Sequence, residues 1–216
     1  IKSTKKFFST TSCDKALCLI IDDSIYYNNE KIISLDELKL KGSHNYENVV
    51  AAISVVKELN VDNEAIVSVL KTFGGVEHRM EYFKTINNVD FYNDSKATNI
   101  KSTQTALSSF SRPTILLLGG LDRGNSFDDL KEYTTNVKLI IAFGEVKLKV
   151  KEFADKYNLP CRAANSLEEA SNIAYSYSKE GDVILFSPAC AAWDEFKDFE
   201  VRGNLFKEYV NNFESS

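Results

Sequence analysis

The sequence predicts an α/β protein. Its larger part is a mostly parallel, Rossmann-like sheet with helices on both faces, preceded by a smaller, lopsided segment. Three observations predict this. The runs Thr114 to Leu118, Val137 to Phe143 and Val183 to Phe186 are apolar at nearly every position, as strands buried on both faces are. Segments with helical spacing of apolar residues lie between them. Gly74-Gly75 interrupts the chain ahead of this alternation and is read as a domain boundary, giving residues 1–74 and 75–216.

In chain order, Ala16 to Ile21 is a continuous apolar run of strand length. Ile25 to Tyr27 and Lys31 to Ile33 flank Asn28-Asn29, whose side chains tolerate hairpin turns. Val49, Ile53 and Val56 repeat at helical spacing, and Val50, Ala52 and Leu59 broaden the face, predicting a helix from about Asn45 to Leu59. Asp62 is placed as N-cap of a helix reaching about Thr72. Beyond the glycines, Met80 to Ile86 and Val89 to Tyr92 flank Asn87-Asn88 as a second hairpin. A short strand, Cys161 to Arg162, joins the three long ones. Helices are predicted near Ile100 to Phe110, Phe127 to Tyr133, Lys147 to Tyr157, Leu167 to Ser178 and Glu200 to Asn212. Ser166 with Glu169 forms a capping box for the fourth.

The 216 residues suffice for one or two domains. With 26 basic and 31 acidic residues the net charge is −5, without the basic surplus that nucleic-acid binding shows. A few local cations would still serve a small phosphorylated ligand. Apolar runs such as Ile115 to Leu118 and Leu139 to Phe143 are too short to cross a bilayer, and the first residues hold no apolar segment of a signal peptide. Cys13, Cys18, Cys161 and Cys190 form no C-x-x-C pair and only two His are present, which argues against zinc. Free, buried thiols in a reducing cytosol are expected.

The richest local feature is Asn93-Asp94-Ser95-Lys96-Ala97-Thr98-Asn99, a polar loop between a strand and a helix. Strand-to-helix loops are where α/β proteins place ligand chemistry, and a helix N-terminus suits an anion. Asp94 offers an acceptor for ribose hydroxyls and Lys96 a cation for phosphate or acyl phosphate; a solvated turn is the alternative. Arg79, just past the glycine break, carries a guanidinium suited to phosphate oxygens, or pairs with Glu77 or Glu81. Asn45 and Asn48 share a helix face and fit a purine edge, or cap the helix. Gly119-Gly120 ends a strand and lets backbone approach a ligand closely, with Arg123 aimed into the same crevice.

Five segments in order carry a family resemblance. They are Gly42-Ser43-His44-Asn45-Tyr46-Glu47-Asn48, Glu77-His78-Arg79, the Asn93 to Asn99 loop, Gly119-Gly120-Leu121-Asp122-Arg123-Gly124, and Ser187-Pro188-Ala189-Cys190-Ala191-Ala192-Trp193-Asp194. From about Ser34 onward the chain resembles the Mur ligases, most closely the branch that adds D-glutamate. The resemblance implies a Mur ligase C-terminal domain preceded by the tail of a central ATPase domain. The family's Gly-rich phosphate loop, magnesium-binding residues and modified lysine lie upstream of the matched region, and no G-x-x-x-x-G-K-[ST] occurs in these 216 residues. A C-terminal piece of a longer protein, beginning arbitrarily at Ile1 and inactive alone, is therefore expected.

The roles that follow are those the resemblance implies. Asn45 and Asn48 border the adenine of ATP, Asp94 holds its ribose, and Arg79 reaches its phosphates. Lys96 and Arg79 are the catalytic cations. Thr98, Arg123, Ala192, Trp193 and Phe199 surround D-glutamate, with Phe199 alternatively a core residue of the last helix. Ala192 departs from the family's S-P-A-x-A-S pattern, whose last serine supplies a hydroxyl to the substrate carboxylate. The implied reaction joins D-glutamate to UDP-N-acetylmuramoyl-L-alanine through an acyl phosphate, with ATP and magnesium, in cytoplasmic peptidoglycan precursor synthesis by a monomer. No metal ligand is assigned within this chain. The alternatives are another Mur-type or folylpolyglutamate synthase-like ligase, or a non-catalytic nucleotide- or amino-acid-binding module.

Overall fold

A computed structural model describes residues 5–11, 13, 15–40 and 43–215, without the side chains of 43, 44, 214 and 215. Ile1, Gly42 and the side chains of Ser43 and His44 thus lie outside the described residues. The chain forms two compact units, Ile1–Gly75 and Val76–Ser216.

In the first unit, β1 (Phe7–Ser9), β2 (Ala16–Ile21), β3 (Ser24–Tyr27) and β4 (Glu30–Ser34) form a sheet in that order. β1 runs parallel to β2, and the other pairs are antiparallel. The predicted Asn28-Asn29 turn is present, with φ of 48° and 65°. The sequence reading missed β1, and it missed the turn at Asp22-Asp23, where φ is 45° and 55°. Aspartate, like asparagine, enters the left-handed region at modest cost. Helices α1 (Ser43–Glu58) and α2 (Asn63–Thr72) close the core, in which Val49, Val50, Ile53 and Ile66 meet Cys18, Ile25 and Ile33. Asp62 occupies the N-cap of α2 but makes no side-chain capping bond. The four cysteines are free; Cys18 and Cys190 are buried, whereas Cys13 is exposed.

The second unit holds β5 (Glu81–Ile86), β6 (Val89–Asn93), α3 (Ile100–Ser108), β7 (Thr114–Gly119), β8 (Val137–Phe143), α4 (Lys147–Lys156), β9 (Cys161–Ala163), α5 (Leu167–Ser176), β10 (Val183–Ala189) and α6 (Phe199–Asn211). The sheet order is β5-β6-β10-β7-β8-β9. Only the β5–β6 hairpin is antiparallel; the remaining pairs are parallel. Side chains alternate strictly between two cores. Leu116, Leu118, Ile140, Ala142, Val183 and Leu185 pack with α3 and α4. Ile115, Leu117, Ile141, Phe143, Ile184 and Phe186 pack with α5 and α6. Both faces of the central strands are therefore apolar, and each such Ile, Leu or Phe contributes about 1.5–3 kcal/mol of burial.

Two local expectations need correction. The predicted helix Phe127 to Tyr133 is a 3₁₀ turn, Asp128–Tyr133, bonded i to i+3 (Leu130 N–H to Phe127 O, 2.9 Å). At α5 the Ser166 hydroxyl accepts the Glu169 N–H (3.1 Å) as expected, but Glu169 reaches back to the Asn165 N–H (2.7 Å), one residue before the cap.

Candidate functional site

Because β10 enters between β6 and β7, the loops after these three strands emerge side by side at the C-terminal edge of the sheet. Asn93 ends β6 opposite Phe186, and Ala189 ends β10 opposite Gly119 of β7. Chain reversal at a central strand opens a crevice at this edge in parallel α/β sheets. Three of the motifs singled out in the sequence sit on these loops.

The loop after β6 is bound to the turn that carries Arg79. Lys96 N–H donates to His78 O (3.0 Å), and Met80 N–H donates to Asp94 Oδ1 (3.1 Å). Arg79 is bracketed by these two bonds and its side chain is exposed, as is that of Lys96. The Lys96 ammonium lies 5.3 Å from the centre of the Phe199 ring, and His78 meets the same ring edge-on. Phe199 is the first residue of α6 and is half-buried, outside the core clusters. Thr98 is half-buried, its N–H donating to Lys96 O (2.9 Å). Asn99 caps α3, accepting the Ser102 N–H (3.0 Å).

Asp94 is 4% exposed and both its oxygens accept hydrogen bonds, Oδ1 from Met80 N–H and Oδ2 from the Ser187 hydroxyl (2.7 Å). Its carboxylate ties the β6 loop to β10. Burial pushes its pKa up to about 6, against the pull of Ser187, Met80 and nearby Arg79.

The loops after β7 and β10 meet at Leu121 N–H to Ala191 O (3.0 Å). The exposed Arg123 guanidinium lies 4.8 Å from the centre of the Trp193 ring, itself 63% exposed. Gly120, at φ 137°, allows a close approach of the protein's own chain. A Cβ there would stand 2.5 Å from Ala191 O and 2.9 Å from Cys190 Cβ. Ala192 is 2% exposed, and its carbonyl accepts the Phe196 N–H (2.9 Å).

Sequence reasoning missed the groups that join these loops. Arg202 of α6 is fully buried. Its Nε donates to Ser95 Oγ (3.1 Å), and Nη2 donates to Ser95 O (2.9 Å) and Cys190 O (3.0 Å). The β6 and β10 loops thus share one guanidinium, whose pKa burial lowers to about 10. Asn93, also buried, gives its amide to His78 Nδ1 (2.9 Å) and Glu81 Oε2 (3.0 Å). Desolvation lowers the His78 pKa, which favours the neutral ring that accepts this bond. Gly203 leaves no room for a Cβ against His78. The only hint of this in sequence was the pair Arg202-Gly203 inside an otherwise amphipathic helix.

Asn45 and Asn48 lie in the first unit, as the third and sixth residues of α1. They stand inside the helix, so neither occupies a cap position. Asn45 is half-buried and Asn48 exposed. Among the described residues, no group of three or more His, Cys, Asp or Glu is arranged to hold a metal ion. None of the helices among them is long and apolar enough to cross a membrane.

A family model described as Mur ligase, glutamate ligase domain, matches residues 78–190, just over half of the chain. UDP-N-acetylmuramoylalanine–D-glutamate ligase of Bacillus thuringiensis (strain Al Hakam) is 51% identical over 211 residues, covering 97% of this chain and 47% of the relative. The chain spans about half the length of the curated relatives it matches. Among solved structures, MurF of Acinetobacter baumannii is similar at a TM-score of 0.66 and 17% identity, over 94% of this chain and 46% of that one. UDP-N-acetylmuramate-alanine ligase of Thermotoga maritima is similar at 0.65 and 17%, over 88% and 43%. At such identity the structural likeness shows the fold. Family model, motif order and sheet architecture agree on the same stretch of sequence: the chain belongs to the Mur ligase family.

Proposed function

We propose that this chain supplies the amino-acid-binding and charge-stabilising part of an ATP-dependent ligase that joins D-glutamate to UDP-N-acetylmuramoyl-L-alanine in peptidoglycan precursor synthesis in the cytoplasm. One observation carries the reading. In an acidic chain, the exposed cations Arg79, Lys96 and Arg123 stand on adjoining loops at one edge of the sheet. The identity of 51% to a D-glutamate ligase supports that branch over other Mur-type or folylpolyglutamate synthase-like enzymes.

A carboxylate is a poor acyl donor; phosphorylation by ATP turns one of its oxygens into a leaving group. The amine of D-glutamate then forms the C–N bond as the C–O bond to phosphate breaks. Arg79 and Lys96 are offered to phosphate and acyl-phosphate charge, and stabilisation of charge that develops during transfer is usually the largest catalytic term. Phe199 holds Lys96 across its ring face, and Arg123 beside Trp193 is offered to the D-glutamate side-chain carboxylate, with Thr98 nearby on the Lys96 loop. Asp94 is reassigned from ribose contact to holding the loop that bears Lys96. Asn45 and Asn48, on the first unit, remain assigned to adenine. Magnesium is expected with ATP. No residue of this chain is assigned to it.

The test is ADP release by a longer protein containing this chain. Release is expected only with D-glutamate and UDP-N-acetylmuramoyl-L-alanine together, and the 216-residue chain alone is expected to read background. Equal turnover with L-glutamate or D-alanine would overturn the substrate assignment.

A further inference from the structure

Asp194 follows Trp193 in the loop after β10 and has no part in the function proposed above. Its Oδ2 accepts the Glu145 N–H (3.2 Å). A Cβ on Gly144 would stand 2.5 Å from that oxygen and 2.8 Å from the Gly120 nitrogen. The carboxylate therefore fills the space between the turns that follow β7 and β8. Its second oxygen, Oδ1, is buried without a hydrogen-bond partner among the described residues. One other buried side-chain atom there shares that condition, Nη1 of Arg202. This nitrogen also borders Gly120, 3.0 Å from where a Cβ would be. The two orphaned atoms belong to groups of opposite charge placed about the same turn. Asp194 favours the charged form of Arg202 against the larger effect of burial, and the Cys190 thiol is influenced by both. A buried charge left without a counter-charge is strongly unfavourable, so a carboxylate placed near this guanidinium has a physical cause.

We propose that Asp194 is a positioning residue: its carboxylate neutralises the buried Arg202 beneath Gly120 and seats the Trp193 loop against the turns after β7 and β8. Through that loop it fixes where Trp193 and Arg123 stand. The consequence for D-glutamate rests on the function proposed above; the seating of the loop does not.

Trp193 is the single tryptophan, so its fluorescence reports on the loop directly. Asp194→Asn keeps the side-chain shape and an acceptor for the Glu145 amide while removing the charge. In the 216-residue chain it is expected to raise quenching of Trp193 by acrylamide and lower its anisotropy, with far-UV circular dichroism unchanged. Combined with Arg202→Gln, the loss of thermal stability should be smaller than the sum of the single effects, as for groups whose charges are coupled. In the longer ligase, Asp194→Asn should raise the KM for D-glutamate about tenfold, the loss of one charge-assisted contact, with kcat within about twofold. An altered Trp193 signal with an unchanged KM would keep the seat and reject the D-glutamate assignment. Should Asp194→Asn fail to fold, Asp194→Glu retains the charge at longer reach and is expected to fold with a more quenchable Trp193. An unmoved Trp193 signal in the folded variant, or strict additivity with Arg202→Gln, would overturn the proposal.

Discussion

Arg123 and Trp193 lie on loops from different strands, yet the guanidinium carbon sits 4.8 Å from the indole centre. A cation on an aromatic face at an exposed site gains about 0.5–1 kcal/mol and is held flat, with its N–H edges free to bind. In the longer ligase, Arg123→Ala is expected to raise the KM for D-glutamate about tenfold or more, because a charge-assisted bond is lost. Trp193→Ala should raise it only about two- to fivefold, the equivalent of the stacking term. Steady-state kinetics varying D-glutamate and ATP separately would decide. A shift confined to the KM for ATP would remove Arg123 from the amino-acid pocket.

The buried Asp94 gives the chain a pH dependence of definite sign. Its folded pKa, about 6, lies above its ordinary value of 3.8, so the folded state binds the proton more tightly. Stability is then greatest below pH 3.8 as far as this group is concerned, and is lost as pH rises through about 6. The loss amounts to at most about 3 kcal/mol at 1.36 kcal/mol per unit. Asp94→Asn mimics the protonated form, keeping an acceptor for Met80 N–H and a donor for Ser187 Oγ. It is expected to raise the melting temperature by several degrees at pH 7.5 and by little at pH 4. Equal or lower stability of the variant at pH 7.5 would show that the charged carboxylate is favoured where it lies.

The scaffold was legible in the sequence because its signals are local. Leu139 to Phe143 and Val183 to Phe186 are apolar without interruption, Asn28-Asn29 and Asn87-Asn88 mark turns, and all the long strands follow. The ordering of strands was not, since β10 enters between β6 and β7 through contacts far apart in sequence. The site divides the same way. Lys96 and Arg123 announce themselves as polar residues after apolar strands. Whether a side chain in such a loop faces water or protein depends on long-range packing. The Asp94 carboxylate lies inside because Ser187 and Met80 bond to it, Ala192 is buried in a turn that the Phe196 N–H closes, and Arg202 is buried because Ser95 and Cys190 receive it.

Ala192→Ser tests that distinction directly. Ala192 is 2% exposed, so an added hydroxyl is expected to be buried. An unsatisfied buried hydroxyl costs about 1–3 kcal/mol. The variant is therefore expected to melt a few degrees lower, with its KM for D-glutamate within about twofold of the parent. A clear fall in KM would mean that residue 192 turns toward the substrate in the working enzyme.

Arg79 and Lys96 are held by their backbones, and their side chains are exposed, that of Lys96 beside the Phe199 ring. The bond from Lys96 N–H to His78 O and the one from Met80 N–H to Asp94 involve neither charged head group. Truncating either residue should leave those bonds, and the melting temperature of the 216-residue chain, within about half a kcal/mol of the parent, as for exposed positions away from packing. Their proposed work is on charge that builds up during phosphoryl and acyl transfer. In the longer ligase, Arg79→Ala and Lys96→Ala should each lower kcat by about 10²–10³, the cost of losing one preorganised charge partner in such a site. The KM for ATP should move far less, because a contact made mainly in the transition state is lost from kcat. Phe199→Leu should act in the same direction as Lys96→Ala but more weakly, since it removes only the ring face 5.3 Å from the ammonium. Normal kinetics in both alanine variants would make this pair ordinary surface cations and leave the charge of transfer to be met elsewhere in the enzyme.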